Sequence, residues 1–163
     1  MGEQTFRWTD PEQVLAETAG LSGLEYLQGM MKGSIPPPPI AVLMQFGASH
    51  VEAGKVVFTC RPSHATYNPI GVVHGGLVCT LLDTVTGCAA HSTLPAGVGY
   101  TSVEIKVNYL RPVLHDTGEL IATGQVIKGG RSVIFAEGNV TTSAGDLVGT
   151  ASSTLLVRPK PAG

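Results

Sequence analysis

Two features of the sequence have the residue types and spacing for chemistry, and both lie in GVVHGGLVCTLLDTVTGCAAH, Gly71 to His91. The first is the triplet His74-Gly75-Gly76 at the head of an apolar run. Bare backbone at a helix N-terminus presents N–H groups that lack intrahelical acceptors, at the positive end of the helix dipole, and so favours an oxyanion. The same glycines would also serve a tight turn into the helix and close packing. No G-x-x-x-x-G-K-[ST] pattern follows, so nucleotide phosphate is not held in that way. The second feature is Asp83, set among Leu81, Leu82 and Val85 with no Lys or Arg within a helical turn. Asp is a poor helix former and is seldom buried unpaired, so its place there costs stability unless a reaction uses it. The plain alternative is a carboxylate that faces water or is satisfied by Thr80, Thr84 or Thr86.

The element that must position both is a helix. Leu77, Leu81, Leu82, Val85 and Ala89 recur at helical spacing and Pro95 closes the run; a segment of that length suits a helix far better than a strand. Apolar residues surround most of its circumference, so it must be covered on most sides. Eight residues of helix rise about 12 Å, too far for one reacting carbonyl to meet both Gly75 and Asp83 of the same chain. Two copies packed antiparallel about a two-fold axis near Cys79 would bring Gly75 of one to Asp83 of the other, twice over. A homodimer with composite sites is therefore expected.

Around this helix the pattern has period two. MQFGASHVEAGKVVFTCRP predicts a hairpin turning at Glu52-Ala53-Gly54. SVEIKVNYL predicts a strand with Val103, Ile105, Val107 and Tyr109 on one face and Ser102, Glu104, Lys106 and Asn108 on the other. GELIATGQVIK, RSVIFAEGNVTT and DLVGTASSTLLV continue as a meander, turning at Gly129-Gly130 and at Ser143-Ala144-Gly145. Before the sheet, Asp10-Pro11-Glu12-Gln13 and Ser22-Gly23-Leu24-Glu25 each read as a helix start. Leu24, Leu27 and Met31 share a face of the second helix and Gly33 stops it. Ile35 to Ile40, IPPPPI, reads as a stiff connector, because consecutive prolines lack the N–H groups that helix or sheet would use. One long helix against an antiparallel sheet of about six strands is an α+β arrangement. The expected division is an N-terminal helical extension and connector over 1–40, the main domain over 41–158 and a tail over 159–163.

The chain has 163 residues, enough for one domain with a sizeable core. Charged residues make up 13% of it against a usual value of about 25%, a shortage that a second buried face would explain. A net charge of −2 and pI near 6.2 leave no electrostatic footprint for nucleic acid or a membrane surface. Cys60, Cys79 and Cys88 have no C-x-x-C spacing and read as buried thiols in a reducing compartment. With no basic-then-apolar leader and no long apolar window, a soluble cytoplasmic protein is expected.

NPIGVVHGGLVCTLLDTVTG resembles the N-x-x-G-x-x-HGG-x8 segment of hotdog-fold thioesterases, in the PaaI-like branch related to 4-hydroxybenzoyl-CoA thioesterases. NYLRP and the GGR turn are similar too, and the resemblance covers about Ser49 to Val157. It implies a long central helix lying in a curved antiparallel sheet, with acyl-CoA bound at a dimer interface. Carried onto this sequence, the Gly75 N–H holds the thioester carbonyl oxygen. Asp83 of the opposite subunit acts as general base on water or as nucleophile. Asn68 positions water or carbonyl, and Thr101, beside Ser102, falls where related enzymes orient the water with a Ser or Thr. His74 matches the family His and braces the helix entry. Gly76, Ser102, Arg111, Gly130 and Arg131 complete the substrate-binding set, with Arg131 slightly preferred for the CoA phosphates. No cofactor is implied, since coenzyme A is part of the substrate, and a dimer of dimers is the expected assembly.

The chemistry suits so small a set of groups, because a thiolate leaving group with a conjugate-acid pKa of about 8.5 needs no strong general acid. His50, His64 and His115 read as exposed polar residues at turns. A metal held by His74, Asp83 and His91 is disfavoured, because that much helix separates its ends by about 25 Å. Two other functions fit the same residues: a catalytically idle acyl-CoA sensor, and a hydratase or dehydratase using His74 with Asp83. Asp83 favours hydrolysis, since a mere binder gains nothing from a buried charge.

Overall fold

The computed structural model describes residues 1–159. The N-terminal helices start where the capping residues predict. In α1, Pro11–Glu17, the Asp10 carboxylate accepts the Glu12 N–H at 2.9 Å. Gln13 donates to Glu17 instead of closing a capping box. The box is complete in α2, Gly23–Lys32, where Ser22 accepts the Glu25 N–H and the Glu25 carboxylate accepts the Ser22 N–H at 2.8 Å. Those bonds from Ser22 hold the Glu25 carboxyl below its ordinary value. Gly33 stops α2 at φ 78°.

The proline run is shorter as a connector than expected. Pro39 is the first residue of α3, Pro39–Met44, a position where a missing N–H and a fixed φ cost nothing. Helix α3 straddles the expected 40/41 boundary, and α2 places Leu27, 1% exposed, in the same core as the sheet.

Six strands follow: β1, Phe46–Glu52; β2, Lys55–Cys60; β3, Val98–Tyr109; β4, Leu120–Lys128; β5, Val133–Thr142; and β6, Leu147–Pro159. They form one antiparallel sheet in the order β1-β2-β4-β5-β6-β3. Pro159, assigned above to the tail, ends β6, and residues 160–163 lie outside the described residues. The hairpin turns fall at Ala53-Gly54, 129–132 and 143–146, as the Gly and Ser positions predict. One expectation fails. Strand β3 does not alternate cleanly, because the register with β6 shifts between Ser102 and Glu104. Val103 is the extra residue of a bulge and is 56% exposed. Tyr100 and Ser102 face inward before it, and Ile105 and Val107 after it.

The long helix α4, Gly75–His91, crosses this sheet with Leu81, Leu82, Val85 and Ala89 fully buried. Gly124 of β4 sets how closely it approaches, for a Cβ there would run into the Val85 carbonyl. Helix and sheet thus meet backbone to backbone. The α+β architecture, with one long helix lying on an antiparallel sheet, is the one expected. Among the described residues no helix is long and apolar enough to cross a membrane.

Candidate active site

The helix entry is built by His74, the N-cap of α4, at φ −61° and ψ 133°. Its N–H donates to the Thr66 carbonyl at 2.7 Å, and its Nδ1 accepts the Gly76 N–H at 2.8 Å. The ring is thereby tied to the backbone as a brace, with Nε2 left to carry the proton of the neutral form. Gly75 is the first helical residue, so its N–H has no intrahelical acceptor. Neither Gly75 nor Gly76 adopts a positive φ. Gly76 is required for space, since a Cβ there would lie 2.8 Å from His74 Nδ1; one on Gly75 would lie 3.1 Å from Tyr109 Cε1, a contact that a small shift of the ring relieves. Asn68 belongs to the loop that delivers this entry. Its Oδ1 accepts the N–H groups of Ile70 and Val72 at 3.1 and 3.2 Å, leaving Nδ2 as its remaining donor.

Asp83 is exposed in the single chain, on the stripe of α4 that the sheet leaves uncovered, rather than buried as the sequence suggested. The apolar neighbours that made it look buried, Leu81, Leu82 and Val85, all turn to the sheet. Its Oδ1 accepts a hydrogen bond from Ser102 Oγ at 3.0 Å. The nearby threonines do not serve it: Thr80 and Thr86 donate back to carbonyls of the helix. Thr101, expected to stand beside the reaction, is exposed on the opposite face of β3, pairing with Leu156, while Ser102 sits opposite the buried Leu155. The one-residue difference is decided by the pleat, since successive side chains point to opposite faces.

Beside Asp83 opens a cavity of about 250 Å³, with Thr84 and Cys88 from α4, Phe58 from β2, Tyr100 from β3, and Met30, Pro37 and Pro38 from the N-terminal region among its walls. Burial, and then the Asp83 carboxylate, push the Cys88 thiol up to about 12. Tyr100 is raised far above the ordinary tyrosine value, chiefly by burial. Both groups stay neutral at neutral pH, and Asp83 is the one carboxylate on the wall of this cavity. Tyr100 carries no motif that would have flagged it, and Tyr109 stands in the NYLRP segment without being singled out. Both also share a positional signal, lying at the two ends of the strand that follows the helix.

The remaining candidates do not converge with these. Arg111 pairs with Asp146 at 3.1 Å just beyond Tyr109, whereas Gly130 and Arg131 lie in the β4–β5 turn near the Tyr100 end. A length of β3 on the order of 26 Å separates the two arginines within one chain. Arg131 makes no salt bridge among the described residues. His50 lies within β1, not at a turn, and His64 and His115 pack together with ring centroids 4.0 Å apart, His115 also meeting the Tyr67 hydroxyl. His91 stacks on Tyr26 at the far end of α4.

Residues 70–148, which carry the helix entry, Asp83 and Ser102, match the model of the thioesterase superfamily. A Haemophilus influenzae protein named as an esterase candidate is 30% identical over 112 residues, 69% of this chain and 76% of that one. The chain belongs to the thioesterase superfamily. Among other members, human acyl-coenzyme A thioesterase 13 is 32% identical over 92 residues, 56% of this chain and 64% of that protein. A Streptococcus pneumoniae structure described as a hypothetical thioesterase with coenzyme A superposes with a TM-score of 0.65 at 25% identity, covering 72% of this chain and 91% of that one. The chain spans 48% and 64% of the length of the first curated relatives it matches. Membership in the superfamily accords with the hotdog architecture, in which the central helix carries both the glycine entry and the carboxylate.

Proposed function

We propose that this protein hydrolyses the thioester of an acyl-CoA to free acid and CoA, at a site completed by a second copy of the chain. The observation that carries this reading is Asp83: a carboxylate oriented by Ser102 on the rim of an apolar cavity, on the same helix as an uncapped glycine N–H. Water approaches the thioester carbonyl from the Asp83 side, and Asp83 takes its proton as general base. Attack by the carboxylate itself, through an anhydride that water then opens, uses the same geometry. The Gly75 N–H of the other copy stabilises the oxyanion, and the tetrahedral intermediate expels CoA thiolate. The reaction asks for no cofactor. His74, with Nδ1 already occupied, positions the helix entry and does not carry the proton.

Strand β3 supports the second copy. It is an edge strand of 12 residues, and Val103, Tyr109 and the adjoining Leu110 are exposed by 56–57%. Long exposed edges of this kind seek a partner. Ser102 stands at Asp83 and Tyr109 at Gly75. Antiparallel pairing of two β3 strands centred between Ile105 and Lys106 would set Ser102 of one copy opposite Tyr109 of the other. The same axis would bring Asp83 of one copy to Gly75 of the other across paired helices. The strand and helix thus ask for one and the same two-fold. The similarity to human acyl-coenzyme A thioesterase 13 and to the coenzyme A-bound thioesterase supports acyl-CoA as the substrate class.

Thiol release from a panel of acyl-CoAs tests the proposal. Wild type releases thiol and Asp83→Asn does not. Full hydrolytic rate in Asp83→Asn overturns the mechanism, and tight binding by wild type without thiol release overturns the enzyme reading in favour of a sensor.

A further inference from the structure

The cavity beside Asp83 has a second cavity behind it. The near one, about 250 Å³, opens at Asp83 and Thr84. The far one, about 270 Å³, lies under α1 and α2 against Leu15, Leu21 and His91. Four residues line both and so form the partition between them: Met30, Pro38, Cys88 and Tyr100. Tyr100 is the largest of the four. Its ring is seated on Gly87, where any Cβ would collide with the phenol, and lies edge-on to His91 with centroids 5.7 Å apart. Glycine at position 87 is thus what lets the ring lie flat across the helix. From the other side, Pro38 closes the gap with backbone that has no N–H to leave unsatisfied in an apolar wall. Met30, Pro37 and Pro38 all precede residues 70–148, so superfamily membership does not itself supply this wall.

We infer that the near cavity holds the acyl tail of the substrate, that Tyr100 is its end-stop, and that the preferred substrates carry medium-length apolar tails. The inference rests on the thioesterase reading of Asp83. At about 30 Å³ for each group the size of a water molecule, the near cavity has room for about eight such groups, which is a tail of about eight carbons. Each methylene that enters is worth about fourfold in kcat/KM, so activity should climb steeply to that length and then drop as the tail meets the ring. Deleting the ring joins the far cavity, of nearly equal size, to the near one. The N-terminal helices then act as the outer half of a channel that the wild-type protein keeps shut.

The test measures kcat/KM for straight-chain acyl-CoAs from two to sixteen carbons in wild type, Tyr100→Phe, Tyr100→Ala and Met30→Ala, and dissociation constants for the same series on the Asp83→Asn background. Wild type and Tyr100→Phe, which keeps the ring, should both peak near eight carbons. In Tyr100→Ala the ratio of sixteen-carbon to eight-carbon activity should rise about tenfold or more. Met30→Ala opens the partition from α2 and should shift the same ratio in the same direction, which keeps the test sound should Tyr100→Ala not fold. Parallel profiles in all four proteins, or a wild type that prefers sixteen carbons to eight, overturn the end-stop while leaving hydrolysis standing. Absence of thiol release at every length, with a binding profile that still breaks near eight carbons and moves in the alanine variants, overturns the hydrolase and leaves the end-stop standing.

Discussion

Gly75→Pro and Asp83→Asn, carried on separate chains, test whether the reaction is shared between copies. Proline is chosen because it deletes the N–H of Gly75 and little else. Position 75 is the first residue of the helix, where proline is favoured. His74 before it already has the extended backbone that a following proline demands. Tyr109, the neighbour a side chain at 75 would press at 3.1 Å, relieves the contact by a shift of its ring edge of a few tenths of an ångström. Each variant alone should be dead: loss of an oxyanion donor costs a hundredfold or more in other enzymes, and loss of the carboxylate removes the base. Within one chain the two positions are about 12 Å apart along the helix, so neither variant retains a complete site. A hybrid dimer, however, has one site with both wild-type groups and one with neither. Co-expressed with different tags and purified as hybrids, the pair should recover about half of wild-type turnover; an unsorted equal mixture, half of it hybrid, should recover about a quarter. The assay is CoA thiol release, with hybrid content measured by intact-complex mass. Hybrids that are present and inactive would refute the shared site, as would a Gly75→Pro homodimer with near-normal rate.

Further expectations follow from single contacts. Ser102→Ala removes a hydrogen bond to a charged group; at about 1.4 kcal/mol for so exposed a bond, kcat should fall about tenfold with little change in KM, whereas Thr101→Ala should stay close to wild type. Gly124→Ala drives a methyl into the Val85 carbonyl and should cost about 3 kcal/mol or more, seen as a lowered urea midpoint. The folded protein holds Cys60 up to about 11 and Cys88 up to about 12, from an ordinary value of 9.0. A raised thiol value contributes stability that is complete below the unfolded value and is lost as pH rises toward the folded one. The melting temperature should therefore decline above about pH 9, and Cys88→Ala should flatten that decline.

The central helix, the capping box at Ser22 and Glu25, and the meander were legible because each rests on local chemistry: apolar spacing, a cap, a turn residue. Asp83 was legible as an anomaly, but its environment was not. Periodicity says which residues share a face, not which face the sheet leaves uncovered, and Asp83 falls on that uncovered stripe. The choice between Thr101 and Ser102 lay beyond sequence for a related reason, since the bulge that fixes the phase of β3 comes from its pairing with β6. The acyl-side wall was hidden more deeply. Met30 and Pro38 lie far before Tyr100 in the chain and meet it only once α2 and the proline connector fold back over α4.

Val103 has a consequence for how this strand tolerates change in length. With Glu104 beside it in the bulge, it marks the place in β3 where removal of one residue leaves every flanking side chain on its present face, Ser102 still toward Asp83 and Ile105 and Val107 still toward the core. A deletion anywhere else in the strand would put one half out of step with the other. The segment that aims Ser102 and the segment that packs the core can therefore drift in sequence independently, joined by a residue that belongs to neither. When homologues are aligned, a gap in this strand belongs at Val103.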